Sequence, residues 1–494
     1  MSATPLDGVT GPQSAPSAFA KPARGALRSA RYGYYLRAAA SAINILAATV
    51  RSGAPRIVIA PDRDFGNAID RGRQNQQSAV GLAAIAAALA HARREGTPVT
   101  TVGAAHSSAG QTLARRGVRL QLEAAPAETA VWLDEARLEV PGTWRWLQVE
   151  QAANAQGRTI PVLTDNLDTR VGGTLSVGGV GTRSIAYGRQ VDWVEALTLI
   201  RPDGTIARCS TTVEPELFAT ALAGLGQVGV IGSAVLETIP LRPWIASLVY
   251  QISSLSDATR LPAALNGAGE PPTHFEVVGP QIGSRYIHLR LGWEAASREA
   301  AASVLARARR NRLEIPCVVK SARVMSSQAF AQVNVRHVQS FIASLKGATH
   351  LWNDWFFCDL AGYRRFVDWC EQELLPRLGT HDLVAGFLLR LARRPGRPHL
   401  PLSYAEASAP HVHHIGLYYS VSSRDSARRD AVCRGLTHAQ AFARECGGRL
   451  YLYGWHRWAK ADWQAEFGAD YERVLALKRR LDPDFLLNPE VLSP

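Results

Sequence analysis

The sequence predicts an α+β protein of at least two domains, and three observations carry that prediction. At 494 residues the chain is long enough for two domains or three, each with its own core. Up to about residue 240, strand-like and helix-like segments follow one another between Gly- and Pro-containing turns. From about Leu241, between Pro240 and Pro243, the texture changes to strand-like runs mixed with helices, the pattern of a separate α+β domain. The composition, 47% hydrophobic and 20% charged, is that of an ordinary globular chain.

The elements follow in order. Arg56–Ala60 is a short β-rich run stopped by Pro61. Gln77–Arg94 has helical spacing and a high alanine content, and Gly96 ends it. Pro98–Gly103 is a strand that leads into the small-residue loop Ala104–Gln111, and Val118–Leu122 is a further strand. Arg137–Val140 is a strand entering Pro141-Gly142, and Trp144–Gln156 is a helix closed by Gly157. Val191–Ile200 and Thr205–Cys209 alternate like strands about the hairpin turn Pro202-Asp203-Gly204. Glu214–Leu225 is a helix and Gly229–Ile239 a strand. Beyond Leu241 the strand-like runs are Ser247–Ile252, Tyr286–Leu291, Trp352–Phe357 and His414–Val421. The helices there are Ser297–Arg310, Tyr363–Leu375 and Asp425–Cys446; Thr380–Pro401 is loop-like at its end, and Ala469–Arg480 is the closing helix.

Charge and cysteine content narrow the function classes. The net charge of +13 is spread over short basic pairs such as Arg93-Arg94 and Arg309-Arg310, with no concentrated stripe and no nucleic-acid module. The six cysteines, Cys209, Cys317, Cys358, Cys370, Cys433 and Cys446, are far apart and show no zinc spacing, which points to free thiols in a reducing compartment. The apolar run Tyr34–Val50 contains Arg37 and is too short and broken for a membrane span, and it comes late for a signal peptide. A cytoplasmic protein is expected, with residues 1–50 as a partly disordered N-terminal extension.

The stretch Thr164–Gly181, TDNLDTRVGGTLSVGGVG, carries the densest chemical signal. It places the carboxylate Asp165 ahead of a Gly-Gly pair, two hydroxyls and three more glycines. Such a backbone can come close to a phosphate or a flat ring system. Asp168 is the competing acid, and an Asp in a turn also caps its own backbone. His106, in a loop of small residues, has the same character. Gly224-Leu225-Gly226-Gln227-Val228-Gly229 fits G-x-G-x-x-G, but a helix precedes it and a strand follows, the reverse of a dinucleotide-binding turn. His411-x-His413-His414 has no carboxylate at a metal-ligand spacing, so a structural role is expected and no metal site.

Taken together, several segments match a known pattern. They are the strand and loop Gly103-x-x-His106-Ser107-x-x-Gly110-Gln111, and Thr164-Asp165-x-Leu167-x-x-x-Val171-Gly172-Gly173-Thr174-Leu175-Ser176. After these come Tyr187-Gly188-x-Gln190, the run Leu217–Ile231, and the closing Asp462-Trp463-x-x-x-Phe467-Gly468 with Asp482-Pro483-x-x-Leu486-Leu487-x-Pro489. This resembles the FAD-linked oxidases of the vanillyl-alcohol oxidase type, and among them the cytokinin dehydrogenases.

The resemblance implies a two-part FAD-binding domain, 51–240 and 447–494, with an inserted α+β substrate domain of the cytokinin-binding kind at 241–446. It implies that His106 carries a covalent bond to the flavin 8α-methyl group. Gly103, Ser107 and Gln111 would line the flavin and pyrophosphate, Asp165 would also touch the cofactor, and Ser176, Val180 and Val230 would hold it further along. Tyr453 and Asn488 would reach FAD from the returning segment. Asp165 would be the base that takes an amine N–H proton while hydride passes to flavin N5, and His288 and Trp352 would face the substrate. The implied substrate is a small molecule, a cytokinin-like secondary amine, with dioxygen or a quinone as electron acceptor. Three positions depart from the family pattern: Gly103-Ala104-Ala105-His106 stands where Gly-Arg-Gly-His is common, Arg170 where a Thr is usual, and His288 at the place of a substrate-facing Glu. The alternatives are a flavin oxidase acting on an alcohol or ring of a specialised metabolite, and a non-redox flavin-binding protein or cyclase.

Overall fold

A computed structural model describes residues 62–261, 271–279, 286–310, 313, 315–331, 348–379, 383–404 and 410–492. The expected N-terminal extension and the run Arg56–Ala60 lie outside these residues. Three sheets hold most of the described strands. The first has strands β1 (Gln76–Val80), β2 (Val99–Val102) and β3 (Val118–Glu123), all parallel, in the order β1-β3-β2. The second is antiparallel, with β4 (Val131–Trp132), β5 (Arg137–Pro141), β6 (Val194–Ile200), β7 (Ile206–Ser210) and β8 (Val230–Glu237) in the order β4-β5-β8-β6-β7. The third has eight antiparallel strands: β9 (Trp244–Ile252), β10 (His274–Val278), β11 (Ile287–Ala295), β12 (Cys317–Ser326), β13 (Ala348–Phe357), β14 (Leu383–Ala392), β15 (His411–Ser422) and β16 (Gly448–Leu450). Their order is β12-β9-β11-β10-β14-β15-β13-β16.

Helix α1 (Gly81–Arg94) buries Gly81, Ile85, Leu89 and Ala92, one stripe at helical spacing, against the first sheet. It starts later than its sequence spacing predicts. Gln77 to Val80 belong to β1, whose backbone pairs in parallel with Arg119–Glu123. The change occurs at Gly81, the first residue of the helix, whose φ of 81° lies outside the right-handed helical region and is one that an L side chain rarely adopts. Helices α2 (Trp146–Asn154), α3 (Val171–Leu175) and α4 (Pro215–Ala221) pack with the five-stranded sheet around Trp146, Val149, Leu175, Leu197, Phe218 and Leu236. The expected helix Glu214–Leu225 is shorter because Ala223 and Leu225 take positive φ, 55° and 56°, and turn the chain into β8.

The eight-stranded sheet has one face against α5 (Arg298–Arg310), α6 (Leu360–Trp369) and α7 (Ser426–Glu445). Side chains on β13 alternate between its two faces: Leu351, Trp355 and Phe357 enter the helix-side core, while Trp352 and Asp354 line a cavity on the other. Strands β10, β12 and β14 were not expected from the sequence, and β16 continues this sheet past the boundary placed at 447. The chain then runs through α8 (Lys460–Phe467) and α9 (Ala469–Leu481) and returns to β2, where Asn488 N donates to Val99 O at 2.7 Å. None of the six cysteines forms a disulfide. Among the described residues no helix is long and apolar enough to cross a membrane.

The glycine-rich stretch is clamped from several sides. Gly172 N donates to Gly142 O (2.8 Å), Trp146 Nε1 to Thr174 Oγ1 (2.7 Å), Tyr404 OH to Gly178 O (2.7 Å), and Phe275 N to Thr182 O (2.9 Å). Gly181 is needed for space: a Cβ there would sit 2.0 Å from Leu163 O, a backbone atom that cannot step aside. Gly181→Ala is therefore expected to cost about 1–3 kcal/mol of stability. In urea this appears as a lower midpoint at unchanged slope.

Candidate active site

A cavity of about 820 Å³ lies between the eight-stranded sheet and the segments that carry the glycine-rich stretch. All twelve residues singled out from the sequence line it: Gly103, His106, Ser107, Gln111, Asp165, Ser176, Val180, Val230, His288, Trp352, Tyr453 and Asn488. Asn488 stitches three segments at one end. Its Oδ1 accepts from Thr101 N (2.8 Å) and Thr101 Oγ1 (3.0 Å), and its Nδ2 donates to Gly226 O (2.8 Å). The G-x-G-x-x-G segment is the helix-to-strand turn that its context indicates, yet it contributes Leu225, Gly226, Gly229 and Val230 to the cavity wall.

The His106 loop is held by the returning segment. Tyr453 O accepts from Ser108 N and from Ser108 Oγ, both at 3.1 Å, and Leu452 O accepts from Gln111 Nε2 at 2.7 Å. The His106 ring lies 4.4 Å from the Phe65 ring, centre to centre, and the Asn166 amide nitrogen is 3.2 Å from Nε2 and 3.3 Å from Nδ1. Burial pushes its imidazolium down to about 4, so the imidazole is neutral at physiological pH and keeps a lone pair.

Asp165 is half-buried and lines the cavity. Its carboxyl is pushed up to about 7, first by burial and then by the negative charge of Glu276; Arg290 pulls the other way. Glu276 and Arg290 are opposite each other on β10 and β11, with 3.1 Å between Arg290 Nη1 and a Glu276 carboxylate oxygen. His288 is on the same strand as Arg290, and burial, then Lys320 and Arg290, hold its imidazole below the usual range. The departure at His288 therefore does not leave this wall without a carboxylate, because the neighbouring strand supplies Glu276.

A second polar cluster, mainly on other strands of the same sheet, also lines the cavity. His414 Nε2 lies 2.7 Å from Asp354 Oδ1, Tyr418 OH donates to Asp354 at 2.9 and 3.0 Å, and the Tyr418 and Tyr453 hydroxyls are 2.5 Å apart. The sequence reading missed Glu276, Arg290, Asp354 and Tyr418. His-x-His-His was the visible trace of this cluster in the sequence, and its His414 lines the cavity beside Asp354. Among the described residues there is no group of His, Cys, Asp and Glu able to hold a metal ion.

Comparison with known proteins bears on the cofactor and the enzyme class. The FAD binding domain family matches residues 81–210. The chain is 27% identical over 433 residues to cytokinin dehydrogenase 1 of Oryza sativa subsp. japonica, covering 78% of this chain and 80% of that protein. It is 26% identical over 435 residues to a Rhodococcoides fascians protein named "Uncharacterized oxidoreductase ORF5 in fasciation locus", covering 86% and 94%. It is 34% identical over 180 residues to cytokinin dehydrogenase 4 of Arabidopsis thaliana, covering 35% and 34%. The chain is an FAD-dependent oxidoreductase.

The residues of this oxidoreductase fit the cofactor. Nothing lies within 4 Å of the position a Cβ would take on Gly173, a residue of the cavity wall, so that surface is open to a closely apposed ligand. The cavity is near the upper end of ordinary ligand pockets, roughly 300–1,000 Å³. The arginine absent from the His106 loop has a counterpart from elsewhere in the chain. The side chain of Arg170 runs against Gly103, with Cδ 3.4 Å from the position of an added Cβ, and its Nη1 donates to Thr143 O at 2.6 Å. A guanidinium is thereby present at the cavity wall, where an anionic cofactor needs a counter-charge.

Proposed function

We propose that this enzyme dehydrogenates the C–N bond of a secondary amine of the cytokinin type, with Asp165 as the general base. The observation that carries the reading is the environment of Asp165. Burial and Glu276 bring its carboxyl to about 7, so near neutrality it exists as a carboxylate basic enough to take an N–H proton. The names of the matched relatives support the substrate class. When bound, FAD supplies the two-electron acceptor, and dioxygen or a quinone then reoxidises it.

In this reading the cofactor is held by 51–240 together with 447–494, and the 241–446 segment closes the substrate side. Gly103, Ser107, Gln111, Ser176, Val180, Val230, Tyr453 and Asn488 hold FAD, and His106 anchors it covalently. Arg170 answers the pyrophosphate charge. His288 and Trp352 face the substrate, with Glu276 and Arg290 setting the basicity of Asp165. The test is anaerobic addition of isopentenyladenine to the flavin-loaded enzyme. Loss of the flavin absorbance is the expected result. A flavin reduced only by alcohols would move the reading to oxidation of an alcohol or ring, and a flavin that no amine or alcohol reduces would favour a non-redox role.

Glu276→Gln probes the same chemistry in a different way. Removing a like charge lowers the Asp165 pKa, so the pH at which its carboxylate forms moves down. The pH dependence of flavin reduction is expected to shift to lower pH in this variant. Arg290→Met should shift it upwards, because a stabilising cation is lost.

A further inference from the structure

Of the polar groups His414–Asp354–Tyr418–Tyr453, the proposed amine oxidation uses only Tyr453, beside the cofactor, and the geometry of the chain fixes a direction. An aspartate carboxylate has no hydrogen to give, so it can only accept. His414 Nε2, 2.7 Å from Asp354 Oδ1, must therefore carry the ring hydrogen. Tyr418 has one hydroxyl hydrogen, and with both carboxylate oxygens of Asp354 at 2.9–3.0 Å it is committed there. The 2.5 Å contact between the Tyr418 and Tyr453 hydroxyls then has one assignment, in which Tyr453 donates and Tyr418 accepts. The single hydrogen of Tyr453 is thereby used. What its oxygen has left for the cavity is lone pairs.

Two further observations show that this arrangement is built into the fold. Gly416 is paired with Asp354 across β13 and β15, and a Cβ on it would sit 2.2 Å from Asp354 Oδ1. The carboxylate thus occupies space that any side chain at 416 would take. The Tyr453 backbone carbonyl binds Ser108 in the His106 loop, and its ring lies 5.8 Å from that of Trp352, centre to centre. The phenol is therefore fixed between the His106 loop and Trp352.

We infer that Tyr453 is a specificity-determining residue whose phenol oxygen acts only as a hydrogen-bond acceptor, so that the ligand lying beside Trp352 must present an O–H or N–H to it. Tyr418 and Asp354 are positioning residues that hold this polarity. A ligand with an ether or carbonyl oxygen at that point meets lone pair against lone pair. Because the inference rests on the reading that this cavity takes the substrate beside Trp352, its test measures binding and needs no turnover.

The probes are three matched pairs, each differing by one donor hydrogen: phenol and anisole, benzyl alcohol and benzyl methyl ether, adenine and 9-methyladenine. Equilibrium dialysis against the flavin-loaded enzyme gives the ratio of affinities within each pair. For at least one pair the donor is expected to bind about three- to tenfold more tightly, the worth of one neutral hydrogen bond. Tyr453→Phe and Tyr418→Phe should both bring that ratio close to one, the first by removing the acceptor and the second by releasing the Tyr453 hydrogen. Asp354→Asn, which gives Tyr418 an amide N–H in place of an acceptor, should also reduce it. Wild-type enzyme that prefers no donor in any pair, whether through equal binding or none, overturns the inference. So does a preference that survives in Tyr453→Phe or Tyr418→Phe. Intact flavin reduction in Asp165→Asn together with a lost preference in Tyr418→Phe would remove the proposed base and leave this inference standing.

Discussion

Asp165→Asn is expected to lower the rate of flavin reduction by roughly 10²–10⁴-fold, the usual contribution of a positioned general base. Flavin should stay bound, because the carboxylate is one wall residue among many. Asparagine keeps the size of the side chain and removes its ability to take a proton. The loss should appear in the reductive step, followed by stopped-flow absorbance without oxygen, and reoxidation should be unaffected. A variant that loses its flavin but reduces at the normal rate when flavin is resupplied would assign Asp165 to cofactor binding. Asp168, the competing acid in the same stretch, lies 3.5 Å from Arg145 and is not part of the cavity lining. Asp168→Asn should therefore leave reduction within a few-fold of wild type.

His106→Ala is expected to abolish covalent attachment of the flavin. The imidazole is neutral, its pKa held near 4 by burial, and a neutral ring nitrogen is the nucleophile that such a bond requires. Phe65 and Asn166 hold the ring in place at the cavity wall. Acid precipitation should leave wild-type pellets yellow, with a mass increase corresponding to one FAD. The variant pellet should be colourless, with FAD released into the supernatant. An adduct that persists in His106→Ala would place the anchor on another residue.

Which parts of the site were legible in the sequence depends on how local their signals are. The His106 loop and the Asp165 stretch are contiguous, and their glycines, hydroxyls and acid can be read without knowing how the chain folds. The same holds for the turn at Gly224–Gly229, where helix-before-strand order excluded the dinucleotide reading. Glu276 was not legible. His274–Val278, HFEVV, is only five residues, and its alternation stops after four, too short a pattern to identify a strand. Strand β14 was missed because Leu383–Ala392, LVAGFLLRLA, is apolar apart from Gly386 and Arg390 and shows no alternation of period two. The helix α1 was started too early because Gln77 to Val80 become a strand only through pairing with β3, a tertiary contact that overrides local propensity. Asp354 and His414 are 60 residues apart in sequence and meet only through the register of β13 and β15. A pair of that kind can be recognised only once strand register is known.

The central claim is that Asp165 acts as the base beside a flavin, and the pH dependence of anaerobic flavin reduction by isopentenyladenine tests it most directly. A base works deprotonated, and the Asp165 carboxyl is raised to about 7. The reduction rate should therefore be low in acid, rise with pH through about 7 and level off above, and this rise should be absent in Asp165→Asn. A wild-type rate that is independent of pH across this range, or an identical rise in Asp165→Asn, would contradict the account.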